Sequence, residues 1–135
     1  MIQIRSGDER LRAWLDPLDD APTHTAVLAE RACLATLAGG CLAPIGGWAR
    51  FDAAGHLLLG ACVLGASGAG VQRVVAEDSH PLPQGVAGSA ARLTIGQAGD
   101  LGRRVAVQLL DQGAAVILER MRASAAAAGP SPPAH

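Results

Sequence analysis

Three strand-like segments that follow one another in the middle of the chain constrain its fold more than any other feature. They cover residues 45–51, 56–64 and 71–77 and are rich in apolar and β-branched side chains, as strands are. The turns between them span only residues 52–55 and 65–70. Because parallel strands need a crossover of a dozen or more residues, links this short predict an antiparallel meander.

Helical patterns before and after the meander supply the layer that covers one of its faces. A helix rich in alanine and leucine is predicted over residues 22–38, with Val27, Leu34 and Ala38 on its apolar face. After the strands, leucine and valine recur at helical spacing over residues 100–112, and beyond a glycine a second helix is predicted over residues 115–122. We therefore predict an α+β fold, a three-stranded antiparallel sheet covered by helices.

The start of the chain has the pattern of a piece of a larger structure. Ile2 and Ile4 alternate with polar residues at the period of a half-buried strand. Ser6 and Glu9 have the spacing of a capping box, which predicts a short helix over residues 7–15. A single strand and one amphipathic helix cannot bury each other well. We therefore expect an orphan strand–helix piece that belongs to a domain absent from this chain.

Composition divides the chain into three parts. Residues 1–18 hold the orphan strand and helix, the expected remnant of an absent N-terminal domain, and residues 19–123 hold the elements that can pack together. Residues 124–135 consist mainly of alanine and proline and have nothing to bury, which predicts disorder. Within the folded part, residues 79–97 contain two prolines and several glycines and are expected to form a loop.

Charge and hydropathy exclude several classes of function. The 11 basic and 12 acidic side chains leave a net charge of -1, so the chain offers no positive field for nucleic acid. All the basic residues are arginine, so no lysine can form a Schiff base. The longest apolar stretch, residues 57–66, falls well short of the ~20 residues that a membrane helix needs. With no signal-peptide pattern at the start, we expect a cytoplasmic chain without nucleic-acid or membrane partners.

The histidines and two of the cysteines predict no reactive centre. The four histidines have no i,i+3 or i,i+4 relation to each other or to a cysteine, so no metal site is expected. Three cysteines are an odd number without a CxxC spacing, which fits reduced thiols in a reducing compartment. Cys33 lies inside a helical pattern and Cys62 inside an apolar strand pattern, so both are expected to be small core residues with inert thiols.

Cys41 stands in a different local context. It follows Gly39 and Gly40, which end the helical pattern, and it precedes Pro44, in a loop whose backbone is expected to be exposed. Its thiol is either presented on that loop or fills space beside the helix cap. The local pattern leaves both readings open.

The chain around Cys41 is similar to a known family. Residues 21–46, APTHTAVLAERACLATLAGGCLAPIG, closely resemble the segment of the porphobilinogen deaminases (hydroxymethylbilane synthases) that carries their cofactor-attachment cysteine. The shared motifs, at the family's spacing, are Glu30-Arg31, Gly39-Gly40-Cys41 and Pro44-Ile45-Gly46. Leu42 and Ala43 replace the family's usual Gln-Val, and the loop between residues 77 and 100 is longer than usual.

The resemblance implies a fold and a role. Residues 21–122 correspond to the family's C-terminal domain, a three-stranded antiparallel sheet packed against helices. Cys41, with Gly39 and Gly40 beside it, would carry a dipyrromethane cofactor through a thioether. That cofactor primes the addition of four porphobilinogen units with loss of ammonia, in tetrapyrrole biosynthesis. The growing pyrrole chain is therefore the expected partner of this site.

The resemblance also implies what the chain lacks. In the family, the catalytic aspartate and the arginines that grip the substrate belong to the N-terminal domains, which would be supplied in cis or in trans. We therefore expect no catalytic residue here, only a fragment of a transferase that is inactive alone. Glu30 and Arg31 are expected to have a structural role, as a helix-surface ion pair or an interdomain contact.

Two other classes of function are compatible with the sequence. The runner-up is a non-catalytic interaction module, whose exposed helix and strand edges bind a partner chain without pyrrole chemistry. The third is an unrelated α+β domain that binds a small ligand, which requires the cysteine motif to be a coincidence. A covalent adduct on Cys41 separates the first interpretation from the other two.

Overall fold

In the computed structural model, residues 2–37, 43–67, 70–81 and 94–127 are described. These stretches form three antiparallel strands with helices packed on one face of the sheet. The α+β class predicted from the sequence is therefore confirmed. No helix in these stretches is long and apolar enough to cross a membrane.

The sheet is an antiparallel meander in which the strands lie in chain order. β1 covers Ile45–Phe51, β2 covers Leu57–Ser67 and β3 covers Gly70–His80. β1 matches the predicted segment, whereas β2 and β3 end at residues 67 and 80 rather than at 64 and 77. The two longer strands stay paired to their tips, since Ser67 lies opposite Gly70. The predicted meander is confirmed.

Alternation along the strands gives the sheet one buried and one exposed face. On β2, Leu57, Leu59 and Val63 are fully buried beneath the helices. On β1, Trp48 lies on the opposite face and is 64% exposed, with the Arg50 guanidinium carbon 4.5 Å from its ring centre. The hydrophobic core therefore lies entirely on the helical side of the sheet.

The described stretches contain four α-helices beside the sheet. They are α1 (Glu9–Leu15), α2 (Ala21–Thr36), α3 (Ile95–Leu109) and α4 (Ala115–Ala127). Between α3 and α4, the turn Leu110–Ala114 contains Gly113 with a φ of 100°, in the left-handed region that favours glycine. The predicted break at this glycine is confirmed, and it redirects the chain back toward the sheet.

The N-terminal piece differs from its prediction in two respects. Residues 2–5 belong to no strand, because the part of the chain that the structure describes offers them no strand to pair with. Helix α1 is capped by Asp8, whose Oδ1 accepts a hydrogen bond from the Leu11 N–H at 3.1 Å, rather than by Ser6. Gly7 has a φ of 86°, so the chain enters the helix after this residue. α1 contains no buried residue.

Helix α2 buries a different face from the one predicted. Thr25, Ala29 and Cys33 are buried, whereas Val27 and Leu34 are 40% and 37% exposed. The buried positions are four residues apart and so lie on one side of the helix. Small side chains occupy this side because α3 packs directly against it, which the apolar pattern of α2 alone does not reveal.

Helix α3 begins earlier than predicted. Thr94 and Gln97 form a capping box, in which the Gln97 N–H donates to Thr94 Oγ1 at 3.2 Å and the Thr94 N–H donates to Gln97 Oε1 at 2.9 Å. The helix therefore starts at residue 95, inside the segment predicted as a loop. Its Leu101 and Leu109 are fully buried and form the centre of the core.

Helix α4 extends beyond the predicted start of the tail. It ends at residue 127, so its last four residues fall in the segment predicted to be disordered from Ser124 onward. Alanine has the highest intrinsic helix propensity, which accounts for the extra turn. Residues 128–135 lie outside the described part of the chain.

Candidate functional site

The predicted attachment residues, Gly39, Gly40 and Cys41, lie outside the described residues. The geometry that bears on them is therefore that of the chain on either side of residues 38–42. Before this segment, α2 ends and is followed by Leu37. After it, the chain resumes in a half-buried position at Ala43 and enters β1 two residues later. Both flanks are held by hydrogen bonds.

The flank that precedes the segment is fixed at Leu37. This side chain is only 2% exposed, and its N–H donates to the Cys33 carbonyl at 3.0 Å. Its own carbonyl accepts a hydrogen bond from Arg122 Nη2 of α4 at 3.3 Å. The last carbonyls of a helix lack hydrogen-bond donors within the helix. Arg122 supplies a donor to one of them, the Leu37 carbonyl.

The flank that follows the segment is fixed at Pro44. Its carbonyl accepts a hydrogen bond from the Leu64 N–H of β2 at 3.0 Å, and the Ile45 N–H donates to the Ala43 carbonyl at 2.8 Å. The proline ring also restricts the backbone dihedral φ at this position. The chain therefore joins the sheet directly after residues 38–42.

Glu30 connects the two flanking elements. Its Oε1 accepts a hydrogen bond from the Ala49 N–H of β1 at 2.7 Å. Bonds between β1 and β2 alternate along an antiparallel pair, and the bond from Leu64 to Pro44 sets this alternation so that the Ala49 N–H points away from β2. Glu30 therefore satisfies a backbone donor on the open edge of the sheet, which is a structural contact within the domain.

Sequence reasoning missed this role of Glu30 and the whole contribution of Arg122. A glutamate in the middle of a helix gives no local sign that an edge strand lies beside it. Arg122 is 85 residues from the carbonyl that it binds, and nothing in its surroundings in the sequence distinguishes it from Arg120. Both contacts exist only after the helices have packed on the sheet.

The other two cysteines, both free thiols, have unequal surroundings. Cys33 is 2% exposed, as predicted, and burial raises the pKa of its thiol to about 11. Cys62 is half-buried on the face of β2 that points away from the helices. A Cβ atom added at Gly46 would lie 3.4 Å from its Sγ. The prediction of a core position is therefore confirmed for Cys33, whereas Cys62 lies outside the core.

The Cys33 thiol is expected to make the chain less stable at high pH. Burial favours the neutral thiol, so this contribution to stability is intact below the ordinary pKa of 9.0 and is lost as pH rises toward about 11. The chain has no tyrosine and no lysine, so few other side chains titrate in this range. The free energy of unfolding in urea, measured at pH 8 and at pH 10.5, should fall by up to about 1.4 kcal/mol per pH unit above 9.

Cys33→Ala provides the control for this pH dependence. The variant removes the titrating thiol while keeping a small apolar side chain, so most of the fall in stability above pH 9 should disappear. An unchanged slope in the variant would show that the dependence has another origin. Alkylation of Cys33 in the folded wild-type chain should likewise be slow until the chain opens.

The three histidines in the described part of the chain are engaged in local contacts. His24 Nδ1 lies 2.8 Å from Asp19 Oδ1, and His56 Nδ1 lies 3.0 Å from Asp52 Oδ2. The hydrogen bond from the His56 backbone N–H is the largest cause that holds the pKa of Asp52 below its usual range; desolvation opposes it and the His56 side chain adds to it. His80 donates to a backbone carbonyl. Among the residues that the structure describes, no three histidine, cysteine or acidic side chains are grouped so that they could hold a metal ion.

Comparison with known proteins gives a consistent result. The family described as "Porphobilinogen deaminase, C-terminal domain" matches residues 24–111. The porphobilinogen deaminase of Syntrophobacter fumaroxidans is 41% identical over 120 residues, which are 89% of this chain and 34% of that protein. Those of Desulforudis audaxviator and Ralstonia nicotianae are 40% and 39% identical over 124 residues, which are 92% of this chain.

The matched region contains both flanks of residues 38–42 and the whole meander. The chain spans about a third of the length of these curated relatives, in agreement with a domain that is one part of a longer enzyme. The fold expected from the resemblance, a three-stranded antiparallel sheet with helices, is also the fold observed. The chain therefore belongs to the porphobilinogen deaminase family, of which it contains the C-terminal domain.

Proposed function

We propose that this chain is the cofactor-bearing C-terminal part of a hydroxymethylbilane synthase and that it acts only together with the rest of that enzyme. The observation that carries the proposal is the position of the Gly39-Gly40-Cys41 motif within the residues that match the family. The hydrogen-bonded flanks at Leu37 and Pro44 support it, because a residue that carries a covalent cofactor has to keep that cofactor in a fixed position.

The thiols of the chain fit a single attachment point at Cys41. Cys33 is buried in the core with a raised pKa, which makes it a poor nucleophile. Cys62 lies on the outer face of β2 opposite Gly46 and outside the Gly39-Gly40-Cys41 motif. A dipyrromethane joined to Cys41 by a thioether would supply the primer on which four porphobilinogen units are joined with loss of ammonia. Gly39 and Gly40 would leave the backbone beside it unobstructed.

The chain's own contribution is to bind and orient. Glu30 and Arg122 tie the elements around residues 38–42 to the sheet and to α4. The catalytic aspartate and the arginines that grip the substrate would come from the N-terminal domains, in cis or in trans. We place the protein in the cytosol, which the free thiols of Cys33 and Cys62 support.

The mass of the native polypeptide that contains Cys41, taken from the cells that produce it, tests this proposal. Intact and peptide-level mass spectrometry should find an adduct of dipyrromethane size on the Cys41 peptide. The Cys62 peptide is the internal control and should be unmodified. A free thiol at Cys41 in enzyme that forms product would contradict the assignment.

A non-catalytic interaction module is the second candidate, and one observation favours it. Helix α1 buries none of its residues, and Trp14 and Leu18 are 64% and 71% exposed. Exposed apolar groups of this size mark surfaces that bind another chain. A stable complex with a partner, formed by a chain whose Cys41 stays unmodified under every condition, would favour this candidate.

A further inference from the structure

Helix α4 contacts the protein beside both flanks of residues 38–42. Near its start, the side chain of Ile117 packs against Gly65 so closely that a Cβ at this glycine would lie 2.6 Å from Ile117 Cγ2. Gly65 follows Leu64, whose N–H donates a hydrogen bond to the Pro44 carbonyl. Further along α4, Arg122 holds the Leu37 carbonyl. Helix α4 therefore contacts Leu37, which precedes residues 38–42, and Gly65, which is next to the residue that binds Pro44.

The interaction between Arg122 and Leu37 is favourable in charge as well as in geometry. The C-terminal end of a helix carries a partial negative charge, and a cation placed there is stabilising. Helix α2 ends one residue before Leu37 and has no basic residue in its last turn. Arg122 supplies this cation from another part of the chain. Its helix is oriented for this contact by the left-handed turn at Gly113 and by the burial of Leu118.

We infer that Arg122 is a positioning residue, which fixes the end of α2 at Leu37, the flank that precedes the segment with Cys41. This inference rests on the proposed function of Cys41 for its role in the enzyme. The structural part of the inference, that Arg122 fixes the end of α2, depends only on the hydrogen bond from Arg122 to the Leu37 carbonyl. The family match ends at residue 111, so the assignment comes from the fold of this chain and not from the comparison.

Hydrogen exchange of the 135-residue chain tests the structural part. In Arg122→Ala, amides in the last turn of α2, residues 34–37, should exchange about fivefold faster, as loss of one hydrogen bond of ordinary net strength predicts. Arg120→Ala is the matched control, because Arg120 is an exposed arginine on the same helix, and it should exchange like the wild type. Arg122→Lys keeps the cation and should restore much of the protection.

The buried Cys33 thiol distinguishes local from global effects. Its rate of alkylation reports opening of the core between α2 and α3, so it should stay at the wild-type value in Arg122→Ala. If Arg122→Ala leaves exchange over the last turn of α2, residues 34–37, unchanged, or if Arg120→Ala accelerates it equally, the inference is wrong. If Arg122→Ala unfolds the chain, Arg122→Met decides, since methionine keeps an aliphatic stem but cannot donate to the Leu37 carbonyl, and wild-type exchange in this variant would show that the role of Arg122 is steric.

Activity tests the functional part separately. When the chain is mixed with the N-terminal portion of the enzyme, Arg122→Ala should lower the rate of product formation severalfold per modified Cys41, with the fraction of modified Cys41 unchanged. An unchanged rate with faster exchange would overturn the functional role of Arg122. Absence of any adduct in the wild type would instead contradict the proposed function. The hydrogen-exchange result would then still test whether Arg122 fixes the end of α2.

Discussion

Gly102→Ala is expected to lower the free energy of unfolding by about 2 kcal/mol or more, although alanine favours a helix over glycine by about 1 kcal/mol. Gly102 lies in α3 where this helix crosses α2. A Cβ at this position would lie within 3 Å of three atoms, namely the Ala29 carbonyl oxygen, the Ala32 Cβ and the Cys33 backbone nitrogen. Two of these are backbone atoms that cannot rotate away, so the two helices must move apart.

Separation of α2 and α3 would affect the centre of the core. Ala29 and Cys33 on α2 and Leu101 on α3 are buried at this crossing, and their packing is lost as the helices separate. Because small domains are stable by only about 5–15 kcal/mol, the variant should unfold at a clearly lower urea concentration. Circular dichroism of the 135-residue chain in urea measures this change.

Gly99→Ala is the matched control for this prediction. Gly99 lies one turn earlier on the same helix, and the nearest atoms to an added Cβ belong to the flexible end of Arg103, at 3.5 Å. This variant should therefore gain up to about 1 kcal/mol from helix propensity. Equal stability of the two variants would show that α2 and α3 do not approach as closely as the structure describes.

Cys41→Ser is expected to reduce product formation by about 100-fold or more when the chain is mixed with a separately made N-terminal portion. A serine hydroxyl is far less nucleophilic than a thiol at neutral pH unless a base activates it. The chain should then fold normally but fail to carry the covalent primer. The measurement is the rate of product formation together with the mass of the variant chain.

Cys62→Ser separates this effect from a general sensitivity of the thiols. Cys62 lies on the outer face of β2 opposite Gly46 and outside the Gly39-Gly40-Cys41 motif, so this variant should keep its adduct and most of its activity. Full activity of Cys41→Ser would refute the anchor assignment, whatever the behaviour of Cys62→Ser.

Local features of the fold were predictable from the sequence. The short links between the strand segments leave only an antiparallel arrangement. The limits predicted for β1, residues 45–51, are those observed. Gly113 was recognised as a break because few other residues adopt a positive φ. The capping box at Thr94 and Gln97 was overlooked, although its spacing in the sequence would have placed the start of α3 correctly.

The sequence by itself determined the three strands of the sheet, the order of the elements and the motif around Cys41, because each depends on residues that are neighbours along the chain. Tertiary structure alone decided which face of α2 is buried, since Gly102 lets α3 approach the small side chains of that face. It also decided the contacts of Glu30 with Ala49 and of Arg122 with Leu37. Such contacts join groups that are distant in sequence, and they form only when the packing of the whole core brings the helices onto the sheet.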